Sequence, residues 1–190
     1  MPESIVSMSL LGDYATRKIG HSALFWDVFR VYGLACKSRA KLMVEIGVQR
    51  GASSYAIMAA LLENKGTRMV SIDWKDEWKN VLDVKKYPLW EFVNADATDP
   101  TLPSKLNLTE IPFLFLDAGH KKEETIKECD IWLPLISVGG MAVCHDIKGP
   151  YGGNVLPAIQ DFVKNDTEHQ WNFRDYVDSK YGIGVLEKIS

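Results

Sequence analysis

The chain has 190 residues, of which 46% are hydrophobic, and it carries a formal net charge of −3. This length and apolar content predict one domain with a buried core and exclude a largely disordered chain. The small acidic excess argues against nucleic acid as the main partner, because phosphate-binding surfaces are rich in lysine and arginine. The three cysteines are far apart and form no CxxC pair, so we predict buried, reduced thiols rather than a zinc site.

The sequence shows no secretion signal, since the N-terminus lacks a basic region followed by an apolar core. The most apolar stretch, residues 131–144, is interrupted by Pro134, Gly139 and Gly140 and is too short to cross a bilayer. We therefore predict a cytoplasmic protein without a membrane partner and leave homo-oligomerisation open.

Short apolar runs alternate with segments of helical period from residue 41 onward, which predicts βα units and a mainly parallel sheet. Seven strands are predicted, at 42–47, 69–73, 90–94, 113–117, 140–144, near 171–176 and at 183–186. Helices are predicted at 21–37, 52–63, 122–136 and 155–164, with a glycine-rich loop at 148–154. The expected architecture is one α/β domain over residues 1–190, with a core at 41–190 and an N-terminal helical lid or cap at 1–40.

The predicted first helix has an apolar stripe of Phe25, Val28, Phe29 and Tyr32. Core packing is the simpler interpretation of this stripe, and a lid over a ligand is the alternative.

Acidic residues and histidines follow the predicted strands at the points where these strands end. In an open parallel sheet the carboxyl ends share one edge, and ligands bind there, where the strand order reverses. We therefore expect these side chains to surround a binding site: Glu45, Asp73, Asp96, Asp117, His120, His145 and Asp146.

The turn after the first strand reads Glu45-Ile46-Gly47-Val48-Gln49-Arg50-Gly51-Ala52-Ser53. Gly47 and Gly51 permit a tight turn and a close approach of the backbone to a ligand at the start of the next helix. The spacing is not GxGxxG, which makes an NAD pyrophosphate site less favoured. Asp73 ends the next strand, where a carboxylate can accept hydrogen bonds from a ribose diol, and Trp74 could stack on an adenine.

These segments resemble class I S-adenosylmethionine-dependent methyltransferases. Val44–Ser54 is similar to their motif I, Asp73 matches the ribose-binding acid, and Asn94-Ala95-Asp96-Ala97 is similar to the segment that holds the adenine. The run from Phe115 to Asp146 resembles the group that contains cephalosporin hydroxylase and macrocin-type sugar O-methyltransferases.

The resemblance implies a Rossmann-like fold, S-adenosylmethionine as cofactor and O-methylation of a small molecule such as a sugar or natural product. The cofactor-binding residues that it implies are Glu45, Gly47, Gly51, Ser53, Asp73, Trp74, Asp96, Ala97 and Asp117.

The same resemblance makes Asp117 and His120 catalytic, with His120 as the base that titrates near neutral pH, and His145 a second catalytic candidate. It also implies Mg²⁺ on Asp117 and Asp146, with His145 in the position where macrocin-type members have glutamate. Because hard cations prefer oxygen ligands, this histidine leaves the need for a metal open. An oxidoreductase that uses NAD or a nucleotide sugar, and a non-catalytic S-adenosylmethionine-binding domain, remain as alternatives.

Overall fold

The computed structural model describes residues 27–76 and 87–190. The strands are Leu42–Ile46 (β1), Arg68–Asp73 (β2), Trp90–Asn94 (β3), Ile111–Leu116 (β4), Ile136–His145 (β5), Trp171–Tyr176 (β6) and Ile183–Lys188 (β7). The α-helices are Val28–Ser38 (α1), Ala52–Glu63 (α2), Leu102–Lys105 (α3), Lys122–Trp132 (α4) and Gly152–Asn165 (α5).

The seven strands form one sheet in the order β3-β2-β1-β4-β5-β7-β6. The five strands from β3 to β5 in that order are parallel, whereas β7 is antiparallel to both β5 and β6. The strand order reverses between β1 and β4, so a crevice opens there at the carboxyl edge of the sheet. The predicted Rossmann-like, mainly parallel seven-stranded sheet is confirmed.

Helices cover both faces of the sheet because successive side chains of each strand point to opposite faces. On one face, α1 and α2 pack over strand residues such as Met43, Met69 and Phe113. On the other face, α4 and α5 pack over residues such as Val44 and Leu114. This arrangement buries the parallel strands on both sides and leaves their carboxyl ends as the polar edge.

The end of α4 and the start of β5 differ from the prediction. Ile136 was predicted as the last residue of a helix, but it is the first residue of β5. Pro134 lies in a single 3-10 turn, Leu133–Leu135, and this turn ends the helical segment. The apolar spacing led to the wrong prediction because Ile136 is buried whether it ends a helix or begins a strand, and it packs in the core layer beneath α4 and α5.

The helix α5 begins at Gly152, so the loop predicted at 148–154 is shorter than expected. The short helix α3 has no counterpart in the prediction. All three cysteines are free, but Cys36 is only half-buried, whereas the other two are buried as predicted.

The N-terminal helix α1 is part of the core as far as it is described. Val28, Val31 and Ala35 have no exposed surface and pack with the residues of α2. Phe29, which was predicted on the buried stripe, is 64% exposed. The part of the predicted lid before residue 27 lies outside the described residues. Within the described ranges, no helix is long and apolar enough to span a membrane.

Candidate active site

The turn after β1 places its backbone against the end of β4. Gly47 has φ of 89°, and a Cβ atom there would lie 2.0 Å from the carbonyl oxygen of Asp117. Gly51 has φ of 78° and starts α2. Only glycine combines this backbone conformation with so close an approach, so the loop and the Asp117 segment form one continuous wall of the crevice.

Glu45 and Ser53 lie inside the protein, beneath the loop. The Glu45 carboxylate has no exposed surface and accepts hydrogen bonds from the hydroxyls of Ser53, Ser54 and Ser71. Burial raises its pKa to about 7, although these hydroxyls favour the charged form. Both side chains were predicted to bind the cofactor; the structure places them beneath the loop, where they connect β1, β2 and α2.

Asp73 joins the end of β2 to the same loop. Its Oδ2 accepts hydrogen bonds from the backbone N–H groups of Val48 at 2.8 Å and Gln49 at 2.9 Å. Trp74 is 71% exposed, and the Lys75 ammonium lies 4.8 Å from the centroid of its ring. The carboxylate therefore shapes the loop as well as facing the edge of the sheet.

The two residues predicted to border the adenine lie beyond β3. Asp96 is exposed, and its Oδ1 accepts hydrogen bonds from the backbone N–H and the hydroxyl of Thr98 at 2.9 and 2.8 Å. Ala97 is buried, and its carbonyl accepts a 2.9 Å hydrogen bond from the indole of Trp132. Both residues are thus held by contacts to their own loop and to α4.

The ends of β4 and β5 bring two acids and two histidines together. His120 Nε2 lies 2.7 Å from Asp146 Oδ2 and 3.6 Å from Asp117 Oδ1. His145 Nδ1 lies 3.5 Å from Asp117 Oδ1 and 3.4 Å from Asp146 Oδ1. Asp146 has φ of 59°, a left-handed conformation that aspartate tolerates better than most residues. We call these four residues, Asp117, His120, His145 and Asp146, the acid–histidine cluster.

The position of His120 is fixed by its neighbours on α4 and α5. The Thr125 hydroxyl donates a hydrogen bond to the carbonyl of Gly119, and the carboxylate of buried Glu128 accepts one from the Gly119 N–H. Asn154 donates to the His120 carbonyl at 3.1 Å, and the Tyr151 ring lies 4.3 Å from the His120 ring. The loop that carries His120 is therefore attached to both helices of that face.

The short distances in the cluster do not amount to good hydrogen bonds. Five buried polar atoms of the described residues have no hydrogen-bond partner: Asp27 Oδ2, His120 Nε2, His145 Nδ1, His145 Nε2 and Asp146 Oδ1. All of them belong to the cluster or lie next to it. Buried polar groups are nearly always paired, so this concentration marks a place built for a ligand.

Electrostatics keep both histidines protonated at neutral pH in the absence of a ligand. Asp117 and Asp146 raise the pKa of His120 to about 10. Burial favours the neutral form of His145, but Asp117, Asp27 and Asp146 still raise its pKa to about 10. Burial would likewise raise the pKa of Asp117, but the two histidines hold it below its ordinary value. These acids place the pKa of His120 above the near-neutral value that the sequence analysis expected.

The donor set fits a divalent cation. One ligand atom from each of Asp117, His120 and Asp146 lies within 4.8 Å of the other two. Two polar atoms of these residues, Nε2 of His120 and Oδ1 of Asp146, have no hydrogen-bond partner among the described residues, which agrees with a role as metal ligands. His145, predicted as a ligand, lies behind the two carboxylates and is not one of these three donors.

A residue that the sequence analysis did not identify completes the buried network. Asp27, at the start of α1, has no exposed surface, and its Oδ2 lies 3.5 Å from His145 Nε2. The signal was present in the sequence: Asp27, Val31 and Ala35 share one helix face at i, i+4 and i+8, so Asp27 is an acid on the buried face.

A cleft of about 420 Å³ opens between α1 and the segment that joins β6 to β7. Among the described residues, it is lined by Arg30, Asp178, Ser179 and Lys180. The end of this segment lies beside the end of β5, since the backbone N–H of Lys148 donates to the Tyr181 carbonyl at 2.7 Å and His145 pairs with Ile183 of β7.

Comparison with known proteins agrees with this geometry. A family model described as "Methyltransferase domain" matches residues 44–147, which is more than half of the chain. The chain belongs to this methyltransferase family. The matched segment runs from β1 through the end of β5. It contains the turn from Gly47 to Gly51, which we call the glycine loop, and the acid–histidine cluster.

Solved structures have the same fold. Cofactor-bound Rv0187 from MTB is 18% identical with a TM-score of 0.69, and the match covers 100% of this chain and 91% of that one. The O-methyltransferase TomG from Streptomyces achromogenes, in complex with SAM, is 16% identical with the same TM-score and the same coverage. An rRNA methylase from Streptococcus thermophilus is 12% identical with a TM-score of 0.64, over 85% of this chain and 95% of that one. No curated protein sequence matches the chain significantly.

The predicted class I methyltransferase is thereby confirmed, and the oxidoreductase alternative is not supported. The subgroup of cephalosporin hydroxylase and macrocin-type enzymes stays a prediction.

Proposed function

We propose that this methyltransferase transfers the methyl group of S-adenosylmethionine to a hydroxyl oxygen of a small molecule. The observation that carries the proposal is the contact between Gly47 and Asp117, which joins the glycine loop to the acid–histidine cluster. A cofactor on the loop would therefore present its methyl group beside the cluster. The complex of TomG, an O-methyltransferase, with SAM supports this assignment.

The cofactor would bind along the carboxyl ends of β1, β2 and β3. Gly47 and Gly51 leave backbone surface free for close contact, and Asp73 offers a carboxylate at the end of β2 for the ribose hydroxyls. Exposed Trp74 and Asp96 would border the adenine. Glu45 and Ser53 support this surface from inside the protein and make no direct contact.

Methyl transfer breaks the sulfur–methyl bond, whose electron pair stays on sulfur, and forms an oxygen–methyl bond, while the hydroxyl proton passes to water. Alignment of the acceptor oxygen with the methyl group supplies much of the rate. His120 is protonated at neutral pH in the ligand-free site, so its ring is suited to hold the acceptor oxygen by donating a hydrogen bond. As a base, it would first have to lose that proton.

Asp117, His120 and Asp146 would hold a divalent cation, which orients the acceptor oxygen and lowers the pKa of its hydroxyl group. Because His120 contributes a nitrogen donor, this set fits a transition ion such as Mn²⁺ at least as well as the Mg²⁺ expected from the resemblance. A histidine ligand must be neutral, so the cation and the His120 proton compete for the same nitrogen.

The acceptor would enter beside α1. The cleft lined by Arg30, Asp178, Ser179 and Lys180 is large enough for a small molecule and lies next to the Asp27–His145 contact. Its polar and charged lining suits a hydroxylated acceptor such as a sugar or a natural product.

The proposal is tested by two measurements on the purified protein. Calorimetry should give micromolar affinity for S-adenosylhomocysteine. Transfer of a tritiated methyl group should then be assayed on a panel of hydroxylated small molecules, with and without Mn²⁺, and on total RNA. Transfer to a small molecule supports the proposal; transfer to RNA alone would overturn the acceptor class, and no affinity for S-adenosylhomocysteine would overturn the cofactor.

A further inference from the structure

Asp27 starts α1 but does not cap it. Aspartate at a helix N-terminus ordinarily accepts hydrogen bonds from the N–H groups of the first turn. The Asp27 side chain makes no such bond, although its backbone carbonyl accepts the Val31 N–H at 2.9 Å. Its carboxylate is completely buried.

The two oxygens of this carboxylate have different surroundings. Oδ1 lies 3.3 Å from the Arg30 guanidinium, which in turn bonds to Asp178 at 2.7 Å. Oδ2 has no hydrogen-bond partner and lies 3.5 Å from Nε2 of His145. A buried, half-satisfied carboxylate is costly, so its retention calls for a specific contact.

His145 connects this carboxylate to the acid–histidine cluster. The ring is completely buried, with Nε2 toward Asp27 and Nδ1 toward Asp117 and Asp146. An imidazole contacts partners through both nitrogens only while its ring plane is fixed. A carboxylate behind a histidine fixes the ring in this way in many sites.

We propose that Asp27 is a positioning residue of the active site, which holds His145 through Nε2 so that Nδ1 stays directed at Asp117 and Asp146. This inference deepens the proposed function and relies on it for the role of the two cluster carboxylates. It also gives α1, which lies before the matched family segment, a part in the site.

The test is NMR spectroscopy of the His145 ring in protein labelled with ¹⁵N-histidine, with no cofactor, metal or acceptor added. The His145 signals are assigned by their loss in His145→Gln. We expect a slowly exchanging Nε2–H proton at low field, which is lost in Asp27→Ala. In Asp27→Asn it should persist but move upfield, because the amide oxygen is a weaker, uncharged acceptor.

Lys37→Gln is the matched control, since Lys37 lies on the same helix and forms only an exposed ion pair with Glu187 at 3.1 Å. Its His145 signals should equal those of the wild type. If Asp27→Ala does not fold, the shift of the His145 Nε2–H signal in Asp27→Asn tests the proposal by itself. His145 signals unchanged in the folded Asp27 variants would overturn the inference. Failure of the proposed function would show separately, as absent methyl transfer or absent S-adenosylhomocysteine affinity in the wild type.

Discussion

Gly47 lies so close to Asp117 that the two residues act as one surface: a Cβ atom on the glycine would overlap the carbonyl of the aspartate. The reversal of strand order between β1 and β4 makes this contact possible, because the chain that leaves β1 and the chain that leaves β4 cross to opposite faces of the sheet. The cofactor loop and the reactive end of β4 therefore cannot move independently.

Gly47→Ala should damage both stability and cofactor binding. The alanine would clash with Asp117 and would have to adopt φ near 89°, which costs at least about 1–2 kcal/mol before the clash is included. Urea unfolding and calorimetry with S-adenosylhomocysteine measure the two effects, and we expect a loss of affinity of at least about tenfold.

Gly153→Ala is the control: this residue lies in α5 with no atom within 4 Å of a new Cβ, so stability should rise by about 0.5–1 kcal/mol. Equal behaviour of the two variants would contradict the assigned contact.

Asp73→Ala should weaken S-adenosylhomocysteine binding by at least about tenfold, since hydrogen bonds to a charged group contribute about 1.5–3 kcal/mol each. The same variant also removes acceptors from the N–H groups of Val48 and Gln49, so loop disorder is a second cause of weakening. Asp73→Asn separates the causes, because it keeps an acceptor for the loop and removes the charge. Asp99→Asn serves as control, since Asp99 bonds within its own turn to Thr101. An Asp73→Ala protein that binds as tightly as the wild type would remove Asp73 from the cofactor site.

Mn²⁺ binding should release about one proton and strengthen with rising pH. Because the pKa of His120 is raised to about 10, its ring must lose a proton before it can act as a ligand at neutral pH. The affinity should therefore rise by up to about tenfold per pH unit below that value, and calorimetry in buffers of different ionisation enthalpy counts the proton.

His120→Ala and Asp146→Asn should each weaken Mn²⁺ binding, and His120→Ala should also reduce the number of protons released. His169→Ala is the control, since that histidine pairs with Asp166 away from the cluster. Binding of Mn²⁺ with no proton released would show that His120 is not a ligand.

Glu45→Gln should flatten the pH dependence of stability. The folded-state pKa of about 7 exceeds the ordinary value of 4.5, so the folded protein binds more protons than the unfolded chain between these pH values. The free energy of unfolding must therefore fall as pH rises from about 4.5 to 7, by up to about 3 kcal/mol from this group.

Urea unfolding across that pH range is the measurement, and Glu110→Gln, at an exposed position, is the control. Burial raises the pKa of Glu128 to about 7 as well, so some slope should remain in Glu45→Gln. A slope identical to that of the wild type would mean that Glu45 is not the buried acid described.

The sequence predicted which residues lie at the carboxyl edge but not what each one contacts. Asp117, His120 and Asp146 could be found because parallel strands end together, whatever the details of packing. The burial of Glu45 and Ser53 was not foreseen, because motif resemblance does not tell whether a side chain beneath a loop faces a ligand or the core. The helical spacing of Asp27 with Val31 and Ala35 indicates a buried acid, but its contact with His145 joins residues 118 positions apart, and no local pattern encodes such a pair.

The ends of the matched family segment divide the proposed site into two parts. Residues 44–147 carry the glycine loop and the cluster, whereas Asp27 and Arg30 precede them and the 177–182 segment follows them. The matched segment thus contains the glycine loop and the cluster, and the flanks on either side of it line the cleft through which we propose that the acceptor enters. Exchange of these flanks between relatives would be a route to new substrates that leaves the reaction unchanged.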